Sequence, residues 1–139
     1  MTAKRKEVRF LPVPGMEGGD AGEPRSGFAG LLGCFSGLVA PGPTEYVAIK
    51  IHAGEKGNSN FLRPHQVMGV IEGLSLPREQ VFLTDTTVLY RGYRMSAPAY
   101  VTLAREHGYG LPETPPFLVA DGLRGTDDVV VMLPSPCEL

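Results

Sequence analysis

The feature that most constrains this chain is a single run in which one kind of backbone hands over to another. Tyr46 to Ile51 is apolar and β-branched enough to be an interior strand. His52, Gly54, Glu55, Lys56, Gly57 and Asn58 then form a polar loop with two glycine hinges. Pro64 opens a helix at the first-turn position, where its missing N–H costs nothing. A buried strand feeding a polar turn and then a helix is the repeating unit of an α/β sheet, and the turn is where such a sheet binds ligands.

The unit recurs downstream. Val67, Val70, Ile71 and Leu74 recur at helical spacing until Leu76-Pro77 interrupts them. Val81, Phe82 and Leu83 form the next strand, which empties into Thr84-Asp85-Thr86-Thr87. Ser96 and Pro98 open a helix with Tyr100, Leu103, Ala104 and His107 on one side, and Gly108 ends it. Residues 117–120 form a further strand running into Asp121-Gly122-Leu123-Arg124-Gly125. Val129 to Leu133 reads as a last strand. The connection before it is too short for a parallel crossover, which predicts an antiparallel partner.

Upstream, Val8, Phe10 and Val13 suggest a first strand limited by Pro12. Pro14 to Arg25 reads as a flexible Gly/Pro-rich connection. Phe28, Leu31, Leu32, Phe35 and Leu38 give one helical face after Ser26. The expected fold is therefore one α/β domain over residues 1–139. It has a mostly parallel open sheet of about five strands, helices on both faces and an antiparallel last strand.

Composition narrows the function classes. A net charge of -2 gives no general attraction to nucleic acid or anionic membrane. Lys4-Arg5-Lys6 is followed by Glu7 and Pro12 rather than an apolar run, so no export signal is read. Residues 28–40 are too few and too glycine-rich for a membrane anchor. Gly 18 and Pro 13 in a chain of 139 require many turns around the sheet. Cys34 and Cys137 lie far apart without CxxC spacing, which excludes a disulfide framework and fits a reducing cytoplasm.

The candidate chemistry follows the strands. If they are parallel, His52 with the 54–58 loop, then Thr84, Asp85, Thr86, Tyr90 and Arg94, then Asp121 and Arg124, all rise from one carboxyl edge. The 54–58 loop reads either as an anion cradle at a helix N-terminus or as an ordinary tight connection. It is no Walker loop, and GxGxxG is absent. His52 is a base or ligand candidate against the commoner structural histidine. Asp85 is either a turn cap or a carboxylate held by the Thr84 and Thr86 hydroxyls to orient a ligand or take a proton. Arg63, Arg94 and Arg124 are candidates for a guanidinium clamp on carboxylate or phosphate. A hard-metal site from His52, Glu55, Asp85 and Asp121 is a minority reading. His65 and His107 read as surface or packing residues.

Several of these segments occur together in a known pattern. Ile49-Lys50-Ile51-His52, Gly54-Glu55-Lys56-Gly57-Asn58, Phe61-Leu62-Arg63-Pro64, Phe82-Leu83-Thr84-Asp85-Thr86, Leu89-Tyr90, Gly92 with Arg94, residues 104–108 and residues 120–125 appear in that order. Over residues 46–131 the chain resembles the amino-terminal half of a family of uncharacterised iron–sulfur-centre proteins, catalogued as a domain of unknown function. The resemblance implies a redox context and the same set of site residues, without a reaction. Family members often continue into a second half whose cysteines bind [4Fe–4S] clusters. The present sequence lacks those cysteines, so the resemblance implies a shortened form with no cofactor of its own. Ala53 stands where the family usually has an aromatic residue, and Leu76-Pro77-Arg78 where it has a glycine-rich turn.

Two function classes follow. One is a small anionic-ligand site at the carboxyl edge, with His52 and Asp85 as catalytic candidates. The other is a non-catalytic interaction module of a redox system, pairing as a homodimer or with a partner subunit through a face left uncovered.

Overall fold

Three short apolar segments set the architecture. In the computed structural model, which describes residues 32–35, 37 and 39–132, β1 (Val47–Lys50), β2 (Val81–Asp85) and β3 (Phe117–Val119) form one sheet in the order β1-β2-β3. Both pairings are parallel, with Ile49 opposite Leu83 and Leu83 opposite Phe117. Helix α1 (Pro64–Gly73) connects β1 to β2, and α2 (Ala97–Glu106) connects β2 to β3. The α/β class and the parallel direction expected from the alternation are what is found.

Both helices pack on the same face. Residues two apart on a strand share a face, and Val47, Ile49, Ile51, Val81, Leu83, Phe117 and Val119 join one core with Val67, Met68 and Ile71 of α1 and Tyr100, Leu103 and Ala104 of α2. Right-handed crossovers along consecutive neighbouring strands put their helices on one side. The expectation of helices on both faces is therefore corrected for the described residues. Burying each large apolar side chain of this core stabilises the fold by about 1.5–3 kcal/mol.

The helix ends follow local chemistry. Arg63 is the N-cap of α1. Its N–H donates to the Gln66 side chain, and Pro64 occupies the first turn. Helix α1 stops at Leu74, and the next residue, Ser75, takes a left-handed conformation (φ 55°). Gly108, at φ 87°, terminates α2 as its position in the sequence suggests. Leu111-Pro112 is a cis peptide bond in the link to β3.

Two further strand expectations differ from what is seen. Val129 to Met132 form no strand and are exposed; no described strand lies alongside to take up their backbone groups. The expected antiparallel strand therefore has no counterpart among these residues, and Leu133 lies outside them. The expected first strand, the 14–25 connection and most of the helix predicted from Ser26 also lie outside the described residues. Of that helix, Leu32 is described as helical and Gly33–Phe35 as a 3-10 turn. The sheet among the described residues has three strands, not five. Among the same residues, no helix is long and apolar enough to cross a membrane.

Candidate functional site

Parallel strands bring the turns after β1, β2 and β3 to one edge, as expected. The edge is organised by Arg94, which lies beyond β2 and folds back under the β1 loop. Its Nη2 donates to Asp85 Oδ2 at 2.9 Å and its Nη1 to Glu55 Oε1 at 2.7 Å. The Arg94 side chain is 6% exposed and that of Asp85 2%. A pair this deep is held by geometry and by further partners, because each charge has left water behind.

Asp85 has those partners. Lys50 Nζ donates to Oδ1 at 2.8 Å, and the Tyr100 hydroxyl to Oδ2 at 2.5 Å. Burial alone would raise the Asp85 carboxyl. The Lys50 and Tyr100 hydrogen bonds and the Thr86 N–H outweigh it and hold the group below the usual range. Asp85 is thus an ionised, fully engaged carboxylate, suited to orienting its neighbours rather than to accepting a proton. The expected clasp by Thr84 and Thr86 hydroxyls is corrected: Thr84 Oγ1 is buried without a partner, and Thr86 contributes its backbone.

Glu55 is the second carboxylate. Burial raises it, but the Tyr90 hydroxyl at 2.5 Å and Arg94 bring it down. Tyr90 is in turn raised, chiefly by donating to Glu55. Lys56 Nζ donates to Tyr93 Oη at 2.7 Å. The β1 and β2 loops are therefore laced together by Glu55–Tyr90, Glu55–Arg94 and Lys56–Tyr93.

His52 stands at the mouth of this network, with its side chain 54% exposed. Gly54 N–H donates to Nδ1 at 3.1 Å, while Arg94 Nη1 lies 2.6 Å from Nε2. A neutral imidazole has one lone pair and one N–H. It satisfies one of these two donors in either tautomer and opposes the other.

The remaining candidates divide. Asp121 sits on the same edge, since Ala120 N–H donates to the Asp85 carbonyl, but its carboxylate is spent on Thr87. It takes the Thr87 N–H at 2.9 Å and the hydroxyl at 2.6 Å. Arg63 turns away to the Ser59 carbonyl at 2.7 Å and lies over Phe61, and Arg124 is exposed. The three-arginine clamp is thus reduced to Arg94. The anion-cradle reading of the 54–58 loop also weakens: the Gly54, Asn58 and Asn60 N–H groups are all satisfied inside the loop. Gly57 serves the turn, at φ 79°.

The minority metal reading is not met. Asp85 is taken by two cations and Asp121 by Thr87, and among the described residues no group of three or more His, Cys, Asp or Glu could hold a metal ion.

Lys50 and Tyr100 were not among the predicted site residues. A lysine closing an apolar strand is the available signal for the first. Tyr100 reads as packing from its helical spacing, which its ring obeys, while its hydroxyl reaches Asp85 and accepts the Ala53 N–H at 3.3 Å. His107 is a packing residue with a fixed role: Nδ1 donates to the Ala53 carbonyl at 2.7 Å and the ring stacks on Phe61 at 4.2 Å.

Comparison with protein-family models, curated proteins and solved structures gives no match to this chain.

Proposed function

We infer that the carboxyl edge of the sheet is a binding site for a small anionic ligand, with His52 and Lys50 as the groups that meet it. The observation that carries this reading is the contrast across the network. Asp85 and Arg94 are buried and mutually committed, while Lys50 is 70% exposed at the same point. One donor of Lys50 Nζ goes to Asp85, and an ammonium has three.

His52 has one donor too many facing it, so a ligand oxygen that accepts from the ring or from Arg94 relieves the conflict. Asp85, Glu55 and Asp121 together balance Lys50, Lys56 and Arg94 along the edge, which favours a weakly charged ligand such as a monocarboxylate over a polyphosphate. Asp85 and Tyr100 hold Lys50 and the Ala53 backbone in place, which is a positioning role. The resemblance to the iron–sulfur-centre family supports the same edge, because its segments 49–52, 54–58 and 82–86 supply most of the network.

Calorimetric titration with acetate and with inorganic phosphate tests the reading in wild type, Lys50→Met and His52→Gln. Saturable acetate binding, weakened about tenfold by each substitution, is expected for lost charge-assisted contacts. No heat from either anion, or identical affinities in all three proteins, overturns it.

A further inference from the structure

Both ring nitrogens of His52 face a hydrogen-bond donor. Arg94 Nη1 lies 2.6 Å from Nε2, and the Gly54 N–H lies 3.1 Å from Nδ1. A neutral imidazole carries its proton on one nitrogen and a lone pair on the other. The choice of tautomer is therefore a choice between these two donors.

Without a ligand, Arg94 wins. Its bond is the shorter one, and a hydrogen bond from an ionised group is about twice as strong as a neutral one. The guanidinium is also fixed in place: Nη2 sits on Asp85, Nη1 on Glu55, and the side chain is buried. Glu55 Oε1 favours a proton on Nε2, but it stands 4.0 Å away and is committed to Arg94 and the Tyr90 hydroxyl. Nε2 therefore keeps its lone pair, and the ring proton sits on Nδ1 against the Gly54 N–H.

A ligand oxygen reverses that balance, a step that rests on the reading of this edge as an anion site. A carboxylate oxygen accepts more than one hydrogen bond. Set beside Nε2, it takes the Arg94 Nη1 N–H and an Nε2–H together. The His52 side chain is exposed on its outer side and has room to give way. Nδ1 then accepts the Gly54 N–H, and each donor around the ring has an acceptor.

We propose that His52 sets the chemistry of the ligand by exchanging its Nδ1–H tautomer for the Nε2–H tautomer when an oxygen acceptor binds. The proton on Nδ1 leaves to water and one from water joins Nε2, so the ring stays neutral and no net proton is taken up. An ammonium group has no place there, because Arg94 holds the same lone pair and repels the charge.

Nitrogen NMR spectra of the full chain, labelled at histidine, test this at about pH 8, where an ordinary imidazole is uncharged. His52→Gln assigns the His52 signals. His107, whose Nδ1 donates to the Ala53 carbonyl, is the internal reference for the Nδ1–H form. His52 should match that reference without acetate and change to the Nε2–H pattern at saturating acetate. The heat of binding should be the same in buffers of different ionisation enthalpy. An Nε2–H ring in the free protein overturns the proposal, as does a ring protonated on both nitrogens in the complex. Acetate that saturates the edge amides while His52 stays in the Nδ1–H form overturns the exchange and leaves the anion site standing. No acetate binding overturns both, and methylammonium bound at the same amides overturns the selectivity.

Discussion

Arg94 and Asp85 meet at 2.9 Å beneath the carboxyl edge of the sheet, each almost sealed from water. Because Lys50, Glu55, His52 and Tyr100 all touch one or the other, this pair ties together the turns that follow β1 and β2.

Removing one partner leaves the other charge buried. Asp85→Ala is expected to cost about 3–5 kcal/mol of stability, and Asp85→Leu combined with Arg94→Met to recover most of that. Urea denaturation of the single and double variants checks the non-additivity. Additive losses would mean that the two residues act independently.

The same pair has a pH signature. Asp85 is depressed below its ordinary value of 3.8, so its contribution is complete above that pH and fades as pH falls through the lower folded value. The stability gap between wild type and Asp85→Asn should therefore be constant near neutrality and close progressively below pH 3.8. A gap that does not begin to narrow as pH falls below 3.8 contradicts the assignment.

At the alkaline end the sign reverses. Burial pushes the Tyr109 hydroxyl, which donates to the Leu62 carbonyl, up to about 12 from an ordinary 10.0. Its contribution is present below pH 10 and lost as pH climbs toward 12. Tyr109→Phe should flatten the fall in stability over that window, read from denaturation midpoints. An unchanged slope would place the alkaline sensitivity elsewhere, with Tyr100 next in line, since burial raises it too.

How much of this was legible depended on whether a signal was local. Strands β1, β2 and β3 showed in the sequence because strands of a parallel sheet are mostly apolar and end in polar turns. Both helices announced themselves through Pro64, Pro98 and Gly108. The run Val129 to Met132 carries the same β propensity and forms nothing among the described residues, because propensity without a neighbouring strand supplies no ladder. In the site, His52, Asp85, Glu55, Tyr90 and Arg94 were readable as residues following parallel strands. Arg63 and Arg124 satisfied the same rule, but Arg63 bonds the Ser59 carbonyl and Arg124 is exposed, since side-chain placement is set by packing that one sequence does not encode locally. The Tyr100 hydroxyl was hidden by a ring that obeys helical spacing.

Two glycines of the β1 loop separate backbone strain from crowding. A Cβ at Gly54 (φ 95°) would lie 2.9 Å from both His107 Nδ1 and Phe61 Cγ, whereas one at Gly57 (φ 79°) meets nothing within 4 Å. Gly57→Ala should cost about 1–2 kcal/mol, the left-handed penalty alone. Gly54→Ala should cost more, because His107 must also leave the Ala53 carbonyl. Thermal melts of the two variants give the comparison, and equal losses would mean that the His107 contact contributes nothing.

The most direct test of the edge as a ligand site is an amide chemical-shift titration of the full chain with acetate. The account predicts saturable shifts concentrated at residues 50–56 and 84–94, abolished in Lys50→Met. Shifts confined to the apolar groove lined by Tyr46, Phe82 and Leu118, or none that saturate, would contradict it.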